Sequence, residues 1–413
     1  MNPNSLLVFG KRLSVVMLLG VMVVMLVQCS GPSTTVQPPE PEETVPVLRG
    51  PAFAALYFDE AGLRHRDLSA GTDVFLVEGT YLGAHGVSPE GRHLAVSVRG
   101  NDGAKLVVVD LTTGDVWEVH TVEETVEYSM AWAPDGSALA FGYYASRRGG
   151  AQAMMGPAGI QVATVEARTV QHAGCTVSRI VKHWLPGGDL VVNDGSNQYI
   201  VGADDCRTLH TVDARKMHHV AFSPDGKRMS YIFRDLVYNR ETRQYEPDST
   251  LFIADVTGEN ARKVVGYKYR PRHMIWSPDG TELAFDVQSQ DDPALRYISI
   301  YDVEQGTSAY LNLPDAGGAY SETHPRWSPS GERMAFDRAQ VGAEGSQKMV
   351  RFFMERFARV VTETSAVTWG WAGEAALILT TSEGSVSIVP IDSPMPAALS
   401  GVDTLLHVRV QER

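Results

Sequence analysis

Seven short turn segments recur along the chain, and each joins two apolar segments. The clearest copies read FSPDGKRMSY from Phe222 and WSPDGTELAF from Trp276. Ser at the first turn position, Pro at the second and Gly at the fourth are the preferences of a type I turn. Each segment therefore predicts a β-hairpin. The other copies begin at Val87, Trp132, Trp184, Trp327 and Trp369.

The spacing of these hairpins is that of a repeat protein. Successive copies begin 38 to 54 residues apart, a range typical of solenoids, propellers and arrays. A second alternating apolar segment follows most turns and ends in Asp and then Gly, as in LFIADVTG ending at Gly258. The flanks have no sustained 3.6-residue apolar period. The sequence therefore predicts an all-β fold, a β-propeller of four-stranded antiparallel blades.

The repeats resemble those of the TolB-like, WD-repeat-like β-propellers, whose blades carry a Trp-Ser-Pro-Asp-Gly turn followed by Leu or Ile, Ala and Phe. The resemblance covers roughly residues 51–411, and five copies match the motif well. It is a resemblance to the propeller and not to TolB itself. TolB has a separate α/β domain before its propeller, and the first 50 residues here are assigned to targeting and linker sequence.

The two ends of the chain bear on the number of blades. Three strand-like segments, beginning at Ala54, Gly62 and Thr72, precede the first turn and lack an innermost strand. The alternating segment TLLHVRV from Thr404 can supply that strand. We therefore predict eight blades, in a ring closed by the N- and C-terminal strands. Seven blades with an extra terminal sheet is the alternative.

The N-terminus resembles an export signal. Lys11 and Arg12 precede an uncharged apolar segment that ends at Val27, which is shorter than the roughly 20 residues needed to span a bilayer. The segment leads into Cys29 and resembles the lipobox of bacterial lipoproteins, although that pattern has Gly, Ala or Ser where Gln28 stands. We predict a signal peptide at residues 1–29 and lipidation of Cys29, with an uncleaved anchor or simple secretion as alternatives. Each places the protein outside the cytoplasmic membrane, in the periplasm or at the cell surface.

The rest of the chain divides into a tether and the propeller. Residues 30–50 are rich in Pro, Glu and Thr and predict an extended linker, and residues 51–413 form the predicted propeller domain. The net charge of −13 argues against a nucleic-acid partner. Cys175 and Cys206 remain once Cys29 is set aside, and export permits a disulfide between them. Two separate buried thiols are the alternative.

Motifs of common catalytic and cofactor sites are missing from the sequence. It has no Gly-x-Ser-x-Gly elbow, no His-Glu-x-x-His helix, no phosphate-binding loop, no dinucleotide fingerprint and no Cys-x-x-Cys pair. We therefore predict no cofactor, metal or nucleotide and name no catalytic residue; an enzyme is less favoured than a binding protein. Asp286 and Asp337 each follow an Ala-Phe pair and are interpreted as turn or strand-end hydrogen-bonding residues.

Three histidines form the one candidate ligand site. His219, His273 and His324 each stand four residues before the first turn position, in three consecutive blades. Equivalent positions on inner strands lie near one another around the channel, toward the face opposite the turns. The histidines are candidates for binding an anion or a metal ion together. The alternative is that they repeat by descent and pack between sheets.

Long insertions between second and third strands indicate where a partner would bind. They run roughly over residues 145–159, 233–249, 287–295 and 338–348 and carry the apolar residues Met154, Met155, Tyr238 and Tyr245. We predict a membrane-tethered extracytoplasmic propeller that acts as a protein- or peptide-binding scaffold of the bacterial cell envelope. The alternative is a propeller enzyme, a hydrolase or lyase, or the propeller subunit of a peptidase, with its site at the channel mouth.

Overall fold

The chain folds into eight four-stranded antiparallel sheets, as a computed structural model describes it for residues 52–67, 70–124, 126–145, 159–173, 180–240, 243–311, 319–342, 346–353, 357–364, 367–380, 386–391, 397–399 and 404–411. Within these ranges 32 strands and one short 3₁₀ helix, Tyr267–Tyr269, are present. The predicted all-β propeller with eight blades is confirmed. Each recurring turn joins the first and second strands of a blade.

Four strands make up each blade, which is numbered here in chain order. Blade 1 contains β1 (Ala52–Phe58), β2 (Gly62–Asp67), β3 (Thr72–Glu78) and β32 (Thr404–Gln411). Blade 2 contains β4 (Thr80–Val87), β5 (His93–Gly100), β6 (Gly103–Asp110) and β7 (Val116–Val122). Blade 3 contains β8 (Val126–Trp132), β9 (Ala138–Ala145), β10 (Gln161–Thr164) and β11 (Thr169–His172). Blade 4 contains β12 (Ile180–Trp184), β13 (Asp189–Asn193), β14 (Asn197–Gly202) and β15 (Thr208–Asp213).

The second half of the ring repeats the pattern. Blade 5 contains β16 (Met217–Phe222), β17 (Arg228–Asn239), β18 (Gln244–Asp255) and β19 (Arg262–Val265). Blade 6 contains β20 (Arg272–Trp276), β21 (Glu282–Gln288), β22 (Arg296–Asp302) and β23 (Thr307–Tyr310). Blade 7 contains β24 (Tyr320–Trp327), β25 (Arg333–Gln340), β26 (Ser346–Phe352) and β27 (Phe357–Thr364). Blade 8 contains β28 (Val367–Ala372), β29 (Ala376–Thr380), β30 (Val386–Pro390) and β31 (Ala397–Leu399).

Blade 1 is completed by the C-terminal strand, as the sequence predicted. β32 pairs antiparallel with β1, from Ala52 opposite Gln411 to Phe58 opposite Thr404. Leu405 of β32 packs in a buried cluster that includes residues of β1 and blade 8. The two ends of the propeller domain are thus held together by backbone hydrogen bonds and by a shared core.

The core lies between neighbouring blades, because both faces of most sheets are covered. The cluster between blades 6 and 7, for example, includes Ala284 and Ile298 from one sheet and Trp327, Met334 and Phe336 from the other. A sheet buried on both faces needs apolar residues on both sides of each strand. Continuous apolar stretches such as those of β5, β6 and β29 meet that need.

The Ser of each well-formed turn closes its hairpin. In the blade 5 turn, the Ser223 hydroxyl oxygen accepts a hydrogen bond from the Arg228 backbone N–H at 3.0 Å and donates to Asp225 Oδ1 at 2.6 Å. Gly226 has a φ of 66°, in the left-handed region. A Cβ at Gly226 would lie 2.4 Å from Pro186 Cδ of blade 4, so both conformation and space favour glycine there.

Tryptophans that lead the turns join neighbouring blades. Trp132 Nε1 donates to the Gly86 carbonyl of the preceding blade at 2.8 Å, and Trp276 Nε1 donates to the Ala221 carbonyl at 3.3 Å. An indole presents an apolar ring and one donor, so it can fill space between sheets and still satisfy its N–H.

In blade 8 the structure differs from the sequence prediction in which tryptophan leads the turn. Trp369 was predicted to lead its turn, but the residue that pairs across the hairpin is Trp371, opposite Leu377. Trp371 Nε1 donates to the Arg326 carbonyl of blade 7 at 2.9 Å, as the turn-leading tryptophans of other blades do. The pairing register of β28 shifts beside Trp369. Equivalent shifts occur in the first strands of blades 5, 6 and 7. Blade 8 differs from them because its turn lacks the Ser-Pro pair that marks the position of the turn in the sequence.

Among the described residues, no helix is long and apolar enough to cross a membrane. The predicted signal peptide at residues 1–29, with Cys29, and the linker at residues 30–50 lie outside the described residues.

Candidate functional site

The three predicted histidines lie on the first strands of blades 5, 6 and 7. His219 is on β16, His273 on β20 and His324 on β24. β16 contacts β20, and β20 contacts β24, so these strands are neighbours around the channel. Each histidine precedes the turn-leading residue of its strand, and thus lies away from the Ser-Pro-Asp-Gly end.

All three histidines have a left-handed backbone conformation. Their φ angles are 52° for His219, 48° for His273 and 56° for His324. At each of them the pairing register with the second strand of the blade shifts, which marks a β-bulge. A positive φ is uncommon for a residue with a Cβ, and bulges often redirect a side chain next to a functional site. The repeated bulge therefore sets these positions apart from ordinary strand residues.

Two of the histidines are in direct contact across the blade boundary. The ring centroids of His273 and His324 are 4.1 Å apart, with 33° between the ring planes. His219 has a different partner, because its Nε2 accepts a hydrogen bond from Arg234 Nη2 at 3.2 Å. Burial lowers the pKa of His219, and the positive charge of Arg234 lowers it further. His219 is therefore neutral at neutral pH, and the pair is the more promising centre for chemistry.

Asp286 contacts the Nδ1 atom of His273. Its side chain is fully buried, and its two carboxylate oxygens bind His273 Nδ1 and Arg296 Nε. Burial raises the pKa of Asp286, but the hydrogen bonds and charges of His273 and Arg296 outweigh it and hold that pKa below its usual value. The interpretation of Asp286 as a turn or strand-end residue is wrong, because it lies inside β21 and pairs with an imidazole and a guanidinium.

Asp337 plays the same part in blade 7. It lies inside β25, its Oδ2 is 3.2 Å from His324 Nδ1, and its Oδ1 accepts a hydrogen bond from Lys348 Nζ at 2.9 Å. Lys348 is 1% exposed and also donates to Ser346 Oγ at 2.8 Å. The turn interpretation of Asp337 is therefore wrong for the same reason. Two buried carboxylates support the histidine pair, and each also contacts an arginine or lysine side chain.

This arrangement fixes which nitrogen of the His273 imidazole can act on a ligand. No group of three or more His, Cys, Asp or Glu that could hold a metal ion occurs within the described ranges. With Nδ1 of His273 on a buried carboxylate, its Nε2 is left as the nitrogen that can act on a ligand. Sequence reasoning found the histidines but missed Arg296 and Lys348, since nothing in the local sequence pairs these cations with Asp286 and Asp337.

A third buried acid, Glu322, lies two residues from His324. Glu322 is 6% exposed, and the nearest charge is the guanidinium of Arg338, whose Nε is 3.7 Å from Glu322 Oε1. Burial raises the pKa of Glu322 to about 7, although the charge of Arg338 acts in the opposite direction. This carboxyl therefore changes its charge near neutral pH.

Glu322→Gln is expected to abolish a pH-dependent loss of stability. The folded pKa is raised from 4.5 to about 7, so between these values the folded state keeps a proton that the unfolded state releases. The stability of the wild type does not depend on this group below the window, where both states are protonated. It should fall by about 3 kcal/mol as the pH rises through the window. Urea unfolding of wild type and variant at pH 4.5 and pH 8 measures the change. The exposed Glu304→Gln is the control. If wild type and Glu322→Gln differ in stability by the same amount at both pH values, the assignment is contradicted.

The predicted disulfide is only partly within the described residues. Cys206, which has a φ of 54°, lies between β14 and β15 and is disulfide-bonded. Cys175 and Cys29, the other cysteines of the chain, lie outside the described residues. The predicted loop residues Met154 and Met155 lie outside them as well.

Comparison with known proteins identifies the fold. No protein-family model matches the sequence, and no curated protein matches it. Among solved structures, a eukaryotic initiation factor is similar with a TM-score of 0.53 and 11% identity, over 87% of this chain and 98% of that chain. Dipeptidyl peptidase 4 of Porphyromonas gingivalis has a TM-score of 0.52 and 13% identity, over 83% of this chain and 54% of that chain. TolB of Acinetobacter baumannii has a TM-score of 0.38 and 12% identity, over 86% and 81%. The chain is thus an eight-bladed β-propeller whose structural neighbours include TolB proteins.

Proposed function

We propose that this protein is a membrane-tethered propeller of the bacterial cell envelope that binds another envelope protein or a peptide. The supporting observation is the hairpin of β17 and β18. Each of these strands has 12 residues, and beyond Arg234 the two pair only with each other. Within the segment 233–249, which was predicted to be a long loop, residues 234–239 and 244–249 therefore form a two-stranded ribbon that extends past its blade.

The ribbon carries apolar side chains in water. Leu236 is 62% exposed, Tyr238 49% and Tyr245 68%. Tyr238 and Tyr245 are directly opposite each other, with ring centroids 5.3 Å apart. At the base of the ribbon, Lys216 Nζ binds Asp235 Oδ2 at 2.5 Å. Tyrosines on a regular, preorganised backbone lose little entropy on binding and are typical of energetic centres at interfaces.

The triple variant Leu236→Ser, Tyr238→Ser, Tyr245→Ser tests this role. We expect it to reduce capture of a partner from native envelopes by about tenfold or more, as loss of an interface centre would. A photo-crosslinking amino acid at Tyr245 should give a discrete adduct, whereas one at Leu209, an exposed leucine of β15, should not. Equal capture by the variant and wild type, with no adduct at Tyr245, would contradict the proposal.

The membrane tether is proposed from the N-terminal sequence. With lipidation at Cys29, Cys29→Ser should move the protein from the membrane fraction to the soluble fraction and abolish labelling by a radioactive fatty acid. An uncleaved anchor would leave the Cys29→Ser variant in the membrane. Recovery of the wild-type protein in the soluble fraction would instead indicate simple secretion.

We further propose that Cys206 pairs with Cys175. Ala173, two residues before Cys175, packs in the same cluster as Cys206. Peptide mapping under non-reducing conditions should therefore recover the two cysteines in one linked species. A free thiol at Cys175 would refute the pairing.

A second candidate is catalysis at the channel mouth, as a hydrolase or lyase. The observation that favours it is the contact between His273 and His324, each on a buried carboxylate. An imidazole whose Nδ1 is held by a carboxylate can take a proton at Nε2, as a general base does. Loss of ligand binding or turnover in His273→Ala, with the ribbon variant unchanged, would favour this candidate. The reverse result would favour the scaffold.

A further inference from the structure

A cavity of about 570 Å³ lies between blades 6 and 7, away from the ribbon of blade 5. Its volume is in the range of small-molecule sites in proteins. Tyr269, Tyr297, Tyr310 and Leu295 contribute apolar surface to its lining. Tyr297 and Tyr310 form an edge-on pair with ring centroids 6.1 Å apart, and Tyr310 is 53% exposed at the opening. The cavity can thus receive an apolar or aromatic group from outside.

The polar end of the cavity is formed by Arg338 and Glu322. Arg338 is 9% exposed, and within the described part of the chain its Nε has no hydrogen-bond partner. Its guanidinium lies over the ring of Tyr320, 4.2 Å from the centroid. The separation of 3.7 Å from Glu322 Oε1 is an ion-pair distance and exceeds that of a good hydrogen bond. A buried guanidinium donor without a partner is costly, and a planar acceptor would satisfy it.

We propose that this cavity binds a compact carboxylate with an aromatic or aliphatic body, with the carboxylate on Arg338 and the body among Tyr269, Tyr297 and Tyr310. Arginine is suited to this role because its planar fork matches a carboxylate. The flat face of Tyr320 fixes the plane of the guanidinium, so it is preorganised for an acceptor. This inference concerns a different blade interface from the ribbon and is independent of the proposed scaffold function.

The charge of Glu322 would change the affinity of the cavity for an anion. Its raised pKa means that the carboxyl is largely neutral below neutral pH and charged above it. Among the described residues of the lining, the other titratable groups are Arg338, the exposed Asp291 and four tyrosines. Only Arg338 among them carries a positive charge. When Glu322 is ionised it competes with a ligand carboxylate for Arg338, and when it is neutral it does not.

Three probes of one shape and different charge test the proposal: phenylacetate, phenylacetamide and phenethylamine. Titration calorimetry on the full-length protein at pH 8 should detect saturable binding of phenylacetate and at least tenfold weaker binding of the other two. Arg338→Gln should weaken phenylacetate binding by about tenfold or more, the range for loss of a charged hydrogen bond. Glu322→Gln should strengthen it, because the competing charge is gone.

Arg338→Gln and Glu322→Gln are expected to change phenylacetate binding in opposite directions. Misfolding would weaken binding in both variants, so it would not produce this result. Arg333→Gln is the matched control, since Arg333 lies on the same strand, rests over Phe352 at 5.0 Å and is outside the cavity lining. It should leave phenylacetate binding unchanged. If Arg338→Gln fails to fold, Glu322→Gln still decides the question. Preference for phenethylamine, weakened by Glu322→Gln, would show a cation site and overturn the proposal, as would the absence of saturable phenylacetate binding in wild type.

Discussion

Deletion of residues 404–413 is expected to abolish cooperative folding of the propeller. The deletion removes β32, which forms seven residue pairs with β1 and contributes Leu405 to the cluster with blade 8. Lost backbone hydrogen bonds and exposed apolar surface together amount to roughly 5–10 kcal/mol. That is comparable to the whole stability of a typical domain. Urea unfolding followed by circular dichroism measures the effect, and addition of a peptide of residues 404–413 should restore part of the transition.

A substitution at Leu405 measures how much the packing of β32 contributes to the stability of the closed ring. Leu405 is 8% exposed and packs near Ala55, Tyr57 and Ala372. Leu405→Asp should cost about 3 kcal/mol or more, because it places a charge without a partner in that cluster. Leu209→Asp makes the same change at a leucine that is 39% exposed and should cost less than about 0.5 kcal/mol. Equal costs for the two substitutions, or a deletion variant as stable as wild type, would mean that the ring does not depend on β32.

Lys348→Met is expected to destabilise the protein by about 3–5 kcal/mol, although it replaces a polar side chain by an apolar one in the core. The buried Asp337 would lose the Lys348 cation that its Oδ1 contacts, and removal of one partner of a buried ion pair carries a penalty of that size. The double variant Lys348→Met, Asp337→Leu removes both charges and should recover stability to within about 1 kcal/mol of wild type. Urea midpoints of the single and double variants measure both values.

Lys105→Met is the matched control for the buried pair. Lys105 Nζ lies 3.1 Å from Glu118 Oε2, but its partner side chain is 50% exposed. Solvent screens such a pair, so the loss should be under about 1 kcal/mol. A double variant that is no more stable than Lys348→Met alone would show that Lys348 acts through packing and not through its charge.

The buried charges and the histidine pair belong to one region of the ring, at blades 6 and 7. Most of the interior is apolar, and Asp286, Asp337 and Lys348 are exceptions among the buried residues. Buried ion pairs contribute little net stability compared with well-packed apolar residues. We therefore attribute these groups to the orientation of His273 and His324, whose Nδ1 atoms face the two carboxylates.

Much of the architecture was predictable because its determinants are local. A Ser-Pro-Asp-Gly turn specifies the conformation of four consecutive residues, so each hairpin could be recognised without knowledge of the rest of the chain. The recurrence of those turns predicted seven blades, and the strand-like segments at the two ends of the chain predicted the eighth, with the segment from Thr404 as the strand that completes it. In blade 8 the prediction chose Trp369 instead of Trp371, because the turn after Trp371 has no Ser-Pro pair to mark its position.

The site was decided by contacts between residues that are distant in sequence. The sequence by itself determined that His219, His273 and His324 occupy equivalent positions, since equivalence follows from the repeat. Only the tertiary structure placed two of these rings in contact and gave the third an arginine as its partner. It also decided that Asp286 and Asp337 are buried carboxylates and not turn residues, because a charge is buried only where strand register brings a cation to it. Register and blade juxtaposition are properties of the closed ring, so no segment of the chain encodes them alone.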